Sequence, residues 1–115
     1  MPLLHIDIVS LFPRICEGPL QESILGRACR EGKVQVDLVN LRDYAIDRRG
    51  TVDDSPYGGG AGMVLRAEPL FACVEELADA EAYTVLMTPQ GAPFTQATAR
   101  RLAAKSHLVM VCGHY

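Results

Sequence analysis

The stretch YTVLMTPQGAPFTQATARRLAAKSHLVMVC, residues 83–112, decides the fold class. Its two ends, Tyr83–Met87 and His107–Cys112, are short runs rich in β-branched and large apolar residues, a pattern typical of buried strands. Between them, Thr95 is a suitable cap for a helix that runs to about Lys105. A strand, a helix and a second strand in this order form a crossover unit, which is how parallel neighbours are connected. The stretch therefore predicts parallel strands.

The residues before this unit repeat the alternation. Leu3–Phe12 is typical of a strand buried on both faces, and Val34–Leu41 alternates like a half-buried strand. Gln21–Glu31 and Glu68–Ala80 have helical spacing of their apolar residues. These predicted apolar faces are Ile24, Leu25 and Ala28 in the first helix and Leu70, Phe71, Val74 and Leu77 in the second. The order predicts an α/β fold with a mainly parallel sheet and helices on both faces.

The bulk composition limits the size and location of the protein. With 115 residues, 12.5 kDa and 49% hydrophobic content, residues 1–115 are expected to form one domain with one core. No run of about 18 apolar residues is present, so no membrane span is predicted. The start, Met1–Ser10, lacks the basic region and cleavage site of a signal peptide. A cytoplasmic location is therefore expected.

The charge balance restricts how the chain meets nucleic acid. A net charge of −3 and a pI near 5.5 argue against binding through a broad positive field, so any RNA recognition has to be local. The candidate cluster flanks an unusual loop and consists of Arg42, Arg48, Arg49 and Arg66. The alternative interpretation of these arginines is an ordinary solvated surface.

The spacing of cysteines and histidines gives no metal motif. The cysteines, at positions 16, 29, 73 and 112, form no Cys-x-x-Cys pair and are expected to be free buried thiols in a reducing compartment. His5, His107 and His114 are far apart along the chain, and an ordinary structural or solvent role is expected for each. No metal site is predicted.

Two short loops are candidate ligand sites. Thr88–Gly91 and Gly113–Tyr115 each follow a predicted strand, and ligands of open parallel sheets bind beyond the carboxyl ends of strands. Gly91 and Gly113 permit unusual backbone conformations or close approach of a ligand. Neither loop matches a dinucleotide or nucleotide phosphate motif. Simple turn formation remains the alternative for both.

The loop Thr51–Met63 is more informative, since four of the five residues 58–62 are glycines. Ordering them is entropically costly, at roughly 0.5–1 kcal/mol each relative to alanine in regular structure, and a plain connection would not need them. Asp53 and Asp54 either bind a cation or a ribose hydroxyl, or only form turns. Tyr57 either stacks on a base or packs in the core.

Four motifs together resemble one known family. Ser10–Pro13, Arg49–Met63, Thr88–Gly91 and Cys112–Tyr115 are similar in order and spacing to the TrmD family of bacterial tRNA (guanine-N1)-methyltransferases. The resemblance extends over the whole chain, and the glycine-rich loop is its most specific part. Met87 and Thr88 replace the Leu-Ser pair usual in that family and keep an apolar residue and a hydroxyl.

The resemblance implies an enzyme of the SPOUT superfamily, whose fold contains a deep trefoil knot. It implies transfer of a methyl group from S-adenosylmethionine to N1 of the guanosine at position 37 of tRNA, by a homodimer with its site at the subunit interface. Residues 1–115 then correspond to the amino-terminal part of the methyltransferase domain, ending before the knot is complete and without the tRNA-binding carboxyl-terminal domain.

The same resemblance implies the site residues. Cofactor binding falls on Leu86, Met87, Thr88, Pro89, Gln90, Gly113 and Tyr115, and substrate binding falls on Tyr57, Gly58 and Gly59. The catalytic aspartate is expected beyond Tyr115, so no catalytic residue is assigned within the chain, and the isolated chain is expected to be inactive. The alternatives are a short form that binds S-adenosylmethionine or RNA without catalysis, and a fragment that contributes only dimer contacts.

Overall fold

Four parallel strands organise the chain. The computed structural model describes residues 3–45, 53–54, 64–65 and 67–113, and within these ranges the sheet order is β2-β1-β6-β5. The elements in chain order are β1 (Leu4–Ser10), α1 (Glu17–Gln21), α2 (Ser23–Arg30), β2 (Val34–Asn40), β3 (Asp53–Asp54), β4 (Val64–Leu65), α3 (Ala67–Leu77), β5 (Ala82–Met87), α4 (Gln96–Ala103) and β6 (His107–Cys112). Two 3-10 turns, Pro13–Cys16 and Leu41–Tyr44, follow β1 and β2. The predicted α/β class and parallel sheet are confirmed.

The main core lies between α3 and one face of the sheet. Val9 of β1 and Val109 of β6 are fully buried there, together with Leu41 from the turn after β2. Cys73 of α3 joins this cluster, and burial, with Glu76 and Asp7 nearby, raises the pKa of its thiol to about 11. A neutral thiol in the core is inert, as expected for a structural cysteine.

Helix α4 lies on the opposite face of the sheet. Successive residues of a strand face opposite sides, so Met110 is turned away from the face that carries Val109. Met110 and Leu102 of α4 line a common cleft, and Leu102 is buried. Thr95 caps this helix as predicted, because its Oγ1 accepts a hydrogen bond from the Thr98 amide at 3.2 Å. Helices therefore lie on both faces of the sheet.

The predicted helix Gln21–Glu31 corresponds to α2, and the separate short helix α1 precedes it. Gly18 and Pro19 lie in the first turn of α1, where proline is tolerated. The break comes at Glu22, whose backbone is extended. The predicted apolar face of α2 was wrong, since the side chains of Ile24 and Leu25 are 76% and 50% exposed. The helix instead turns Gly26 inward, because only glycine fits against the end of α1.

Replacing Gly26 by alanine is expected to destabilise the protein, although such a replacement normally stabilises a helix. In a helix interior, alanine is normally more stabilising than glycine by about 0.5–1 kcal/mol. Here a Cβ would lie 2.4 Å from the Gln21 carbonyl oxygen, a backbone atom that cannot move cheaply. We expect Gly26→Ala to lower the free energy of unfolding by about 1–3 kcal/mol in urea denaturation. Gly18→Ala, whose Cβ meets no atom within 4 Å, is the matched control. A Gly26→Ala protein as stable as this control would contradict the packing.

Two further expectations need correction. Leu70, Val74 and Leu77 pack into the core as predicted for α3, but Phe71 is 65% exposed because the helix turns Cys73 inward instead. The long loop expected after β2 contains regular structure: β3 and β4 pair antiparallel. The glycine-rich run itself, Tyr57 included, lies outside the described residues.

Candidate functional site

A cleft of about 330 Å³ lies beside the carboxyl end of β5. Strand β5, the loop that follows it and α4 form its walls, and its volume is at the lower end of the range for small-molecule sites. The wall residues are mostly apolar, with Thr84, Thr88, Thr98 and Arg101 as polar groups. The large apolar side chains that line it are Tyr83, Leu86, Met87, Phe94, Leu102 and Met110.

A tight turn shapes the mouth of this cleft. The Gly91 amide donates a hydrogen bond to the Thr88 carbonyl at 3.2 Å, and the Gln90 amide donates to Thr88 Oγ1 at 3.3 Å. Thr88 therefore organises the turn with its backbone and its side chain together. Its hydroxyl oxygen is engaged as an acceptor, which leaves the hydroxyl proton to be donated to a ligand.

Gly91 is not needed for the backbone conformation of the turn. Among the described residues, Gly32 is the glycine with a positive φ. A Cβ on Gly91 would approach only Thr88, at 3.4 and 3.5 Å, which is near ordinary van der Waals contact. The expectation of a special backbone conformation at Gly91 was therefore wrong. Since Gly91 lines the cleft, its second expected role, close approach of a ligand, is the one the geometry permits.

The structure brings together part of the predicted cofactor set. Leu86, Met87 and Thr88 line the cleft, and Leu86 and Met87 are 61% and 47% exposed, unusually high for apolar strand residues. Pro89 and Gln90 belong to the turn but do not line the cleft. Gly113 follows β6 and does not line the cleft either, while Tyr115 lies outside the described residues. The predicted substrate residues Tyr57, Gly58 and Gly59 also lie outside the described residues, as do Arg48, Arg49 and Arg66.

Cys112, directly before Gly113, is a poor nucleophile. Burial raises the pKa of its thiol, and nearby Cys16 adds to this effect. A thiolate is the reactive form of cysteine, so a raised pKa favours the unreactive thiol. Covalent chemistry through Cys112 is therefore disfavoured at the end of β6.

A second cluster of polar side chains lies at the opposite, amino end of the sheet. Asp7 and His107 are both buried, and His107 Nε2 donates a hydrogen bond to Asp7 Oδ2 at 2.7 Å. His5 Nε2 lies 2.8 Å from Asp37 Oδ2 and 3.4 Å from Asp7 Oδ1. The His5 and His107 rings stack with centroids 4.6 Å apart. His107 Nδ1 is 3.3 Å from Asp79 Oδ2, close enough for an ion pair although not aligned as a hydrogen bond.

The aspartates determine the charge of His107. Burial alone would lower the pKa of its imidazole, but Asp7 and Asp79 outweigh that effect and raise the pKa. The pKa of Asp79 is lowered, chiefly because its carboxylate accepts a hydrogen bond from the Glu81 amide at 2.9 Å, and His107 adds to this. Both shifts favour an imidazolium paired with carboxylates.

Nearly the whole chain matches one family. Residues 4–115 match the family model described as tRNA (Guanine-1)-methyltransferase TrmD. The chain belongs to the TrmD family. Similar relatives, all described as tRNA (guanine-N(1)-)-methyltransferase, come from Gloeobacter violaceus at 54% identity, Chloroflexus aggregans at 50% and Desulforamulus reducens at 48%. Each of these alignments covers 97% of this chain and 50%, 45% and 46% of the respective relative.

The TrmD relatives are longer than this chain, which spans about half their length. Membership of the TrmD family supports methyl transfer to tRNA at the level of the family. Among the described residues, none of the helices has the length and apolar character to cross a bilayer.

Sequence spacing did not identify the cluster of His5, Asp7 and His107. The two histidines appear unrelated along the chain, yet His5 and His107 are direct partners in the parallel register of β1 and β6. The signal lies in their equivalent positions near the start of two strands, and it becomes readable only when those strands are known to be neighbours. The structural role expected for the histidines fits the buried pairing of His107 with Asp7, but the contact between His5 and His107 was not predicted.

Proposed function

We propose that the protein transfers a methyl group from S-adenosylmethionine to N1 of guanosine 37 in tRNA. The observation that carries the proposal is the match of residues 4–115 to the TrmD family, combined with a cleft at the carboxyl end of β5 where the family resemblance assigns the cofactor. Open parallel sheets bind ligands at this end of their strands.

The residues of the cleft suit an adenosine-containing cofactor. Exposed apolar side chains at Leu86 and Met87 offer a surface for a flat base, and apolar walls with few polar groups are typical of small-molecule sites. Thr88 adds a hydroxyl donor, and Gly91 lets a ligand approach the main chain. When bound, S-adenosylmethionine would supply an electrophilic methyl carbon on its sulfonium, with S-adenosylhomocysteine as the neutral leaving group.

The role of these residues is positioning. Leu86 and Met87 would hold the base of the cofactor, and the Thr88–Gly91 turn would contact it through its hydroxyl and backbone groups. Such positioning converts a bimolecular encounter into a reaction of fixed geometry. Guanine N1 carries a proton that has to leave, so a general base is also required. We assign that base to no residue of this chain, and we expect it in the portion that the longer relatives contain.

We further infer a cytoplasmic homodimer of the SPOUT class, with a trefoil knot completed by chain beyond Tyr115. Large apolar side chains on the described surface support association, notably Ile15, Ile24 and Leu25. Tyr57, Gly58 and Gly59, together with Gly113 and Tyr115, are proposed to complete the site around the target guanosine and the cofactor. We propose that residues 1–115 alone are inactive, because the family resemblance implies that the knot and the base need further chain.

Labelled methyl transfer tests this function directly. We expect the full-length gene product to transfer labelled methyl from S-adenosylmethionine to a tRNA transcript with guanosine at position 37, and 1-methylguanosine to be found on digestion. The same transcript with adenosine at that position is the matched control and should accept no label. Equal labelling of both transcripts, or methylation at another atom, would refute the assignment. Activity of residues 1–115 alone would refute the requirement for the missing portion.

A further inference from the structure

We propose that His5, Asp7 and His107 form a binding site for a divalent transition metal ion of the zinc class. The site lies at the amino ends of β1 and β6, whereas the proposed cofactor cleft is lined by β5, the loop that follows it and α4. His107 lies on the face of β6 that carries Val109, whereas Met110, which lines the cleft, lies on the opposite face. The metal site is thus distinct from the methyl-transfer site.

The donor atoms are spaced for a shared ion. One ligand atom from each residue lies within 4.8 Å of the others, and all three residues are half-buried or buried. A zinc ion about 2.0–2.2 Å from each donor requires donors about 3.3 Å apart in a tetrahedral arrangement. His5 Nε2 is 3.4 Å from Asp7 Oδ1, and His107 Nε2 is 2.7 Å from Asp7 Oδ2. These two distances end on different oxygens of the Asp7 carboxylate, so a shared ion also has to draw together donors that lie up to 4.8 Å apart.

The backbone fixes these positions. His5 and His107 are register partners in adjacent parallel strands, and Asp7 lies two residues after His5 on the same face of β1. Three ligands therefore come from two hydrogen-bonded strands in the middle of the sheet, which is a rigid support. Precise placement on strands is what a metal site requires.

The surrounding groups resemble the outer shell of a metal site. A histidine ligand usually presents its second nitrogen to a carboxylate, which orients the ring. His107 does so: while Nε2 faces Asp7, the buried Nδ1 lies 3.3 Å from Asp79 Oδ2 and has no well-aligned hydrogen bond. The Asp37 carboxylate, near His5 Nε2, is itself held by the Gln35 side-chain amide at 3.0 Å.

The stacked rings define the rearrangement that binding requires. The His5 and His107 planes differ by only 3°, and two parallel rings cannot both direct nitrogen lone pairs at one ion. His107 is packed in place, but the His5 side chain is 34% exposed. Binding therefore tilts the His5 ring toward Asp7 and ends its contact with Asp37. The ion replaces the proton that His107 Nε2 donates to Asp7.

The donor set selects the metal. Two imidazole nitrogens and one carboxylate suit zinc and cobalt, while magnesium prefers an all-oxygen octahedron with several waters. Three protein ligands also leave a fourth position for water or for Asp37. Zinc or cobalt is expected to bind and magnesium is not.

Cobalt titration of the tag-free protein tests the proposal. We expect visible absorption bands of tetrahedral cobalt that saturate at one ion per chain and disappear on addition of zinc. His5→Phe keeps a ring against His107 but removes a donor, and we expect affinity to fall by more than about 100-fold, since even outer partners contribute about 10–100-fold. We expect Asp79→Asn to lower the affinity for cobalt by about 10–100-fold. Lys33→Ala, whose exposed side chain pairs with Glu31 and with no group of the cluster, is the control and should bind nearly normally.

Nitrogen NMR of the unsubstituted protein provides a readout that does not depend on any variant. We expect zinc to shift the Nε2 resonances of His5 and His107 and to leave His114 unchanged. Absence of cobalt bands with unshifted histidine resonances would overturn the proposal. Equal cobalt affinity of the His5→Phe and unsubstituted proteins would overturn it as well, by placing the ion elsewhere.

Discussion

Leucine in place of Gly91 is expected to lower the affinity for S-adenosylmethionine by about 100-fold or more, equivalent to about 2.7 kcal/mol. Gly91 lines the cleft, and its own backbone does not require glycine, so an added side chain would occupy ligand space without straining the turn. Isothermal titration calorimetry of the full-length protein measures the affinity, and thermal denaturation should show a nearly unchanged fold.

Gly18→Leu is the matched control for this substitution. Gly18 lies in α1, and a Cβ there would meet no atom within 4 Å. We expect its cofactor affinity to stay within about 2-fold of the unsubstituted protein. If Gly91→Leu bound the cofactor normally while guanosine methylation persisted, the family function would stand but the cofactor would have to lie outside the cleft. Loss of both binding and folding would instead locate the effect in the turn.

Alanine in place of Asp7 is expected to lower the free energy of unfolding by about 3–5 kcal/mol. Asp7 is 3% exposed, and its carboxylate pairs with the equally buried His107 at 2.7 Å. Its removal leaves the imidazole of His107 buried without its main partner, which is more costly than the loss of the contact itself. Domains of this kind have total stabilities of about 5–15 kcal/mol, so much of the stability would be lost.

Urea denaturation in the presence of a chelator measures this effect without any contribution from bound metal. Asp37→Ala is the matched control, because Asp37 also pairs with a histidine, His5 at 2.8 Å, but its side chain is 49% exposed. Exposed pairs contribute about 0–1 kcal/mol. Equal losses for Asp7→Ala and Asp37→Ala would show that burial does not govern the strength of this cluster.

The sequence was sufficient to predict the strands of the sheet, but it did not show which helix faces are buried. A short apolar run such as His107–Cys112 is most readily placed as a buried strand. The helix-forming segment between two such runs makes a crossover connection, so the two strands pair in parallel. Helical periodicity alone did not show which face of α2 is buried. Ile24 and Leu25 have the more apolar side chains, but the close approach of α1 and α2 turns Gly26 inward. The spacing of apolar residues cannot predict where two helix backbones approach each other so closely.

The two candidate sites also differ in how much of them could be predicted from the sequence. The Thr88–Gly91 turn was predicted as a ligand loop because such loops follow strand ends, and its cofactor role stays a prediction. Leu86, Met87 and Thr88, which the family resemblance implies, do line the cleft. The pairing of His5 with His107 depends on strand order, which spacing along the chain does not encode. The contribution of α4 to the cleft, through Leu102 and Arg101, likewise depends on how that helix packs.

The central position of β1 has a consequence for biosynthesis. Asp7 and His107, whose side chains meet across β1 and β6, are 100 positions apart in sequence. At about 5–20 residues per second, a ribosome needs roughly 5–20 s to make the chain between them. During that interval the apolar residues of β1 have one neighbouring strand, β2, and their other side is uncovered. The nascent chain is therefore most exposed to aggregation, and most in need of chaperones, until β6 emerges.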